Sequence, residues 1–95
     1  MKLAWSRLAR DELRALRDYS IEHWGRAVAL RYLEDVRDAA KRLAANPRMA
    51  RQLRGRLRIA RVRSHYLIVD VDEDADRLTV ARVLHTAMDI ERHLP

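Results

Sequence analysis

One glycine separates two runs of helical spacing, and that arrangement limits this chain more than any other feature. Between Arg7 and about His23 the apolar residues Ala9, Leu13 and Leu16 form one stripe, with Tyr19 at its margin and Trp24 just beyond its end. From about Arg26 to Ala45 a second stripe follows, made of Ala29, Leu33, Val36, Ala40 and Leu43, with Tyr32 alongside. Apolar residues recurring every three or four positions predict amphipathic helices. Ser6 suits the cap of the first, because a serine hydroxyl accepts from the free N–H groups of a first turn. Gly25 ends that helix, and Asn46-Pro47 stops the second, since a residue before proline resists helical geometry. Two amphipathic helices with so short a link must fold back as an antiparallel hairpin. The apolar face of such a hairpin needs a second layer.

The second half of the chain supplies that layer. Leu57 to Arg63, Tyr66 to Asp72 and Leu78 to Leu84 read as strands rich in Val, Ile and Leu. A tight turn near Ser64-His65 joins the first two, and "DEDAD" (Asp72 to Asp76) joins the next pair. At the front, "KLAW" (Lys2 to Trp5) is a short edge strand. "RMARQLRGRLR" (Arg48 to Arg58) shows no period and is expected as a basic loop. Met88, Ile90 and Leu94 predict a short C-terminal helix. The expected fold is α+β: an N-terminal strand, a helical hairpin on one face of an antiparallel sheet, and a terminal helix, in the order β-α-α-β-β-β-α. Residues 1–95 are expected to form one domain.

Composition narrows the function. Cysteine is absent, which excludes disulfides and cysteine-ligated zinc. No apolar run is long enough for a bilayer, so the expectation is a cytoplasmic protein without a membrane role. Lysine and arginine number 20 against 14 acids, a formal charge of +6, and all but Lys2 and Lys41 are arginine. Such a surface favours acidic partners. Many charges are also interleaved with acids at helical spacing, as Asp11, Glu12, Asp18, Glu34, Asp35 and Asp38 are, and so pair locally.

Catalytic signatures are sparse. His23, His65, His85 and His93 show no metal-ligand spacing, and no serine has a base and acid beside it in the sequence. No glycine-rich loop is present to hold a phosphate. No metal and no cofactor are expected. What stands out is arginine on strands. Arg58, Arg61, Arg63 and Arg82 lie on or beside the sheet. Alternation puts Arg61 and Arg63 on the side of Leu57 and Ile59, and Arg82 on the side of Val80 and Leu84. An arginine there must be paired, sit at a margin, or await a partner. Asp70, Asp72 and Asp89 are the acids expected to pair them. His85 is read as fixing the strand-to-helix turn near Asp89.

"DYSIEHWG" (Asp18 to Gly25), "ANP" (Ala45 to Pro47), "SHYLIVDV" (Ser64 to Val71) and "ARVLHTAMDI" (Ala81 to Ile90), in that order, resemble the RelE/ParE superfamily of bacterial toxins. The resemblance covers almost the whole chain. It implies the toxic half of a type II toxin–antitoxin module, and its two branches imply different activities. RelE-like members are ribosome-dependent mRNA endonucleases, whereas ParE-like members poison DNA gyrase. Positions where the nuclease branch carries two lysines hold Ile59 and Arg61 here. Tyr66 is followed by Leu67 rather than arginine, and no tyrosine follows Tyr66. The resemblance therefore points to the ParE-like branch, a gyrase poison that is not itself an enzyme. The alternative is a RelE-like endonuclease with Arg61, Arg82 and His85 as its catalytic group. Arg58, Arg61, Arg63, Arg82 and His85 are the expected target contacts. The resemblance also implies a ParD-like antitoxin bound as a hetero-oligomer. Its seat would be the groove between hairpin and sheet, with Leu8, Tyr19, Ile21 and Trp24 as anchors. Trp24, next to a helix-ending glycine, is expected to be buried in the core.

Overall fold

The hairpin and the sheet form as the periodicity requires. The computed structural model describes residues 1–94. Strand β1 (Lys2–Trp5) leads into α1 (Arg7–Trp24) and α2 (Arg26–Ala45). A 3-10 turn, Pro47–Met49, is followed by β2 (Arg51–Arg54), β3 (Leu57–Val62), β4 (His65–Asp72) and β5 (Arg77–His85). A second 3-10 turn, Ile90–His93, closes the described chain. Ser6 caps α1 by accepting from the Ala9 N–H at 3.0 Å, and its hydroxyl donates to the Ala81 carbonyl at 2.8 Å. The helix is thereby pinned to β5 at its first turn. Gly25 is the whole link between the helices. Its φ of 88° and ψ of 164° belong to a region that only glycine enters readily.

The sheet order is β1-β5-β4-β3-β2. Strands β3, β4 and β5 run antiparallel as expected and β2 adds a fourth, but β1 lies parallel to β5, so the sheet is mixed. The expected basic loop contains β2. Its sequence RQLR has one apolar residue, and its pairing with β3 is irregular between Gln52 and Arg54. A strand this short at a sheet edge needs no alternating apolar pattern, which hid it from a periodicity reading.

The main core lies between the hairpin and one sheet face, here called the inner face. The α1 residues Ala9 and Leu13 and the α2 residues Leu33, Val36, Ala40 and Leu43 pack with Leu67, Val69, Leu78, Val80 and Val83. A smaller cluster lies on the outer face, where Ile59, Ile68 and Leu84 are covered by Leu53, Tyr66, Ile90 and Leu94. The terminal segment is thus a 3-10 turn rather than a helix, and its apolar contacts come from Ile90 and Leu94. Met88 is exposed instead.

A bulge in β5 changes which face each residue presents. Ile68 pairs with Arg82 and Val69 with Val80, leaving Ala81 as the extra residue. Val80 faces the main core, whereas Leu84 faces the outer cluster. Arg82 therefore shares a face with Leu84 but not with Val80, and strict alternation misplaces it by one residue.

Candidate functional site

An open groove of about 520 Å³ lies between α1, the start of α2 and the ends of β4 and β5. Apolar walls come from Leu16, Tyr19, Trp24, Val83 and Met88, and polar groups from Glu12, Tyr32, His65 and His85. No local sequence pattern announces this groove, because its walls come from segments far apart in the chain. Leu16, Tyr32, His65 and Met88 were missed as site residues for that reason. Tyr19 and Trp24 were expected there and both line it. Ile21 and Leu8 do not. Leu8 lies one helical turn before Glu12, on the continuation of the same face of α1.

Trp24 is not a core residue: it is 60% exposed, and Tyr19 is 53% exposed. Gly25 turns the chain immediately after Trp24, so the indole stands off the end of α1 instead of under it. Tyr19 stacks on His23 with ring centroids 3.8 Å apart and meets Trp24 edge-on at 5.7 Å. The end of α1 is thus an exposed aromatic cluster whose rings hold one another in place. Exposed aromatics grouped in this way mark an interaction surface more than isolated ones do.

At the groove's far wall the Ser64 N–H donates to the Tyr32 hydroxyl at 3.0 Å, and that hydroxyl lies 2.7 Å from His65 Nδ1. The His65 ring meets His85 edge-on, centroids 5.2 Å apart. Burial, and secondarily the neighbouring His85, hold the His65 pKa below its ordinary value of 6.5. The neutral ring is then the form the fold prefers. Unfolded chains take up the proton more readily, so stability is lost as pH falls through about 6.5. The expected result is a lower melting temperature at pH 5 than at pH 7.5, and a flatter profile for His65→Gln. An unchanged profile in that variant would assign the pH dependence to another group. His85 fixes its turn differently from expectation: its Nδ1 accepts from the Ala87 N–H at 3.0 Å, while Asp89 pairs with Arg92.

Arg82 is committed inside the protein. Strand β1 stops pairing at Trp5, opposite Val80, which leaves the β5 edge open beyond that point. Glu12 fills the gap. Its carboxylate accepts from the Val83 N–H at 2.9 Å and from Arg82 Nη2 at 2.9 Å, while Arg82 Nη1 donates to the His93 carbonyl at 2.8 Å. The pair is only 17% and 19% exposed. The expected acids are occupied elsewhere, since Asp70 and Asp72 both hold Arg56. Arg58 donates to the Ala50 carbonyl at 2.9 Å. Arg63 lies in the turn after β3, with φ 53°, so the alternation that would place it beside Arg61 has already ended. It pairs with Asp35 of α2 at 2.5 Å and covers the Tyr32 ring at 5.3 Å. Arg61 remains on the outer face, exposed, with only its Nε bonded to the Arg63 carbonyl. The three residues of the nuclease alternative do not converge. Arg61 is on the outer face of β3, His85 on the inner face of β5 beside His65, and Arg82 is bound to Glu12.

Fold and groove together define a class of small α+β domains, a helical hairpin laid on a mixed five-stranded sheet. The chain superimposes with a TM-score of 0.77 on a chain of the chromosomal ParDE system from P. aeruginosa, at 19% identity over 90% of this chain and 95% of that one. It matches a YoeB/ParE toxin from Agrobacterium tumefaciens with a TM-score of 0.63, at 18% identity over 90% and 98% of the two chains. Sequence then fixes the family. Residues 3–90 match the model of the ParE toxin of the type II toxin–antitoxin system parDE. Over 89 residues, 90% of each chain, the protein is 35% identical to Toxin ParE1 of Mycobacterium tuberculosis, in two strains. The chain belongs to the ParE toxin family of type II toxin–antitoxin systems. Among the described residues no helix is long and apolar enough to cross a membrane.

Proposed function

We propose that this ParE-type toxin acts in the cytoplasm by binding DNA gyrase and stalling it on cleaved DNA, and that a cognate ParD-like antitoxin keeps it silent. The observation that carries the choice of a binding poison over a nuclease is the separation of Arg61 from His85. RNA cleavage needs a base, an acid and a cation gathered around one phosphate. Here the sheet itself lies between them. Exposed Arg61 and His85 are then direct target contacts. Arg58, Arg63 and Arg82 act through the segments they hold, and Arg82 does so by fastening residues 86–94 to the sheet.

The test is a supercoiling assay with purified toxin, gyrase, ATP and plasmid. Cleaved plasmid should accumulate with toxin and disappear when antitoxin is added. Normal supercoiling at high toxin, together with mRNA cleavage in a translating extract, would replace this reading with the ribosome-dependent nuclease.

The antitoxin is read as seating an apolar segment in the groove against Tyr19, Trp24 and Met88. Buried aromatic anchors dominate interfaces of this kind. Trp24→Ala is expected to weaken antitoxin binding by about 2 kcal/mol, roughly 30-fold in Kd. Val28→Ala, exposed but outside the groove, should leave calorimetric affinity unchanged. Equal losses in the two variants would move the antitoxin off this groove.

A further inference from the structure

A second groove, of about 480 Å³, runs round the free edge of β3 and shares only Arg61 with the reading above. Strand β2 pairs with β3 only as far as Ile59, the partner of Arg51. Beyond that point Ala60 to Val62 have no neighbour on that side. Small residues, Ala39 and Ala60, form part of the floor, so the groove is accessible. Its walls carry three guanidinium groups from three different elements: Arg42 of α2, Arg51 of β2 and Arg61 of β3. Tyr66 of β4 places one aromatic ring among them. Among the described residues no carboxylate lines the groove. Among the described residues Arg42, Arg51 and Arg61 take part in no ion pair. All three are exposed. This sets them apart from Arg14, Arg17, Arg56, Arg63, Arg82 and Arg92, each of which has an acid beside it.

Like charges brought together without counter-charges repel one another, and an anionic ligand removes that cost. The guanidinium fork matches the paired oxygens of a phosphate. An aromatic ring among cations suits an unstacked base, which offers a π-face whatever its sequence. An acidic peptide strand fits less well. The antiparallel alternation turns only the Arg61 N–H and carbonyl toward the open edge before Val62 ends the strand, so an added strand would find one residue to pair with. We propose that the β3-edge groove binds the phosphodiester backbone of single-stranded nucleic acid, with Arg42, Arg51 and Arg61 on phosphates and Tyr66 against a base.

The test is fluorescence anisotropy of the full chain with a labelled dT20 strand, titrated over a range of salt concentrations. Each phosphate contact adds about 0.7 to the slope of log affinity against log salt. The triple variant R42Q/R51Q/R61Q is expected to lower that slope by about 2. R10Q/R26Q/R31Q removes the same charge from the helices and should leave most of the slope in place. Tyr66→Leu should weaken binding without changing the slope. Circular dichroism confirms folding in each case. A U20 strand separates RNA from DNA as the source of the ligand, and a preference for either supports the site. Absence of dT20 binding overturns the proposal. So do equal losses in the two triple variants, a 20-bp duplex that binds as well as the single strand, or poly-glutamate that binds more tightly than dT20. The plasmid-cleavage assay on gyrase reads a separate property, so either reading can fail without the other.

Discussion

Glu12→Ala is expected to lower the melting temperature by about 10–20 °C, the equivalent of about 2–3 kcal/mol in a domain of this size. The change removes one carboxylate but orphans three donor groups, Nε and Nη2 of Arg82 and the Val83 N–H. Arg82 keeps its charge in a site only 17% exposed, and the Val83 N–H faces a gap that no strand fills. Leaving a partly buried donor without an acceptor costs more than the bond itself contributes. The loss should also spread to the C-terminal segment. Arg82 is oriented by Glu12 and holds the His93 carbonyl, so amide exchange over residues 86–94 should rise in the variant. Glu12→Leu/Arg82→Leu should recover part of the lost stability, because no charge is then left unpaired. A variant with the parent's melting temperature and exchange pattern would show that the pair only decorates the edge.

Leu67→Ala is expected to cost about 2–5 kcal/mol, a large share of what holds a small domain together. Leu67 has no exposed surface and sits on β4, the middle strand of the sheet. Ala60 and Val83 flank it on the neighbouring strands, and the helical hairpin lies over it. Neighbours held by backbone pairing on both sides cannot collapse fully into the vacated volume, which places the cost toward the upper end. Urea unfolding should show a lower midpoint with an unchanged slope. A midpoint within experimental error of the parent would mean that the sheet and hairpin close over the gap.

How far the chain can be read without coordinates depends on what each element is made of. The helices and β1 follow from spacing and stop signals alone, and α2 begins and ends at Arg26 and Ala45 as that spacing predicts. Strands β3, β4 and β5 differ from expectation only at their ends. What escaped was non-local. Strand β2 has too little apolar content to signal itself, and β1 joins β5 in parallel because of distant packing. The bulge at Ala81 carries no mark in "TVARVLH", yet it decides the side on which Arg82 and Leu84 emerge. The candidate site shows the same division. Tyr19 and Trp24 were legible because they end a helix beside a glycine. Tyr32, His65 and Met88 were not, because only the tertiary fold brings them to the same wall. Glu12 was read as one acid in a charge-paired helix, while it serves as a stand-in for a missing strand.

The pairing of β1 with β5 also governs when this molecule can come into being. Lys2 stands opposite Arg77, and among the described residues β5 is the only strand that β1 pairs with. Strand β1 must therefore wait for β5, and the long loop between them has to close before β1 gains a strand partner. Helical contacts within the hairpin can form early, but the hairpin's apolar face has no complete sheet to lie on until β5 has been made. Synthesis thus separates a long interval without the complete fold from a later step in which the sheet and its grooves are assembled together. An antitoxin already present in the cell has that whole interval in which to be waiting.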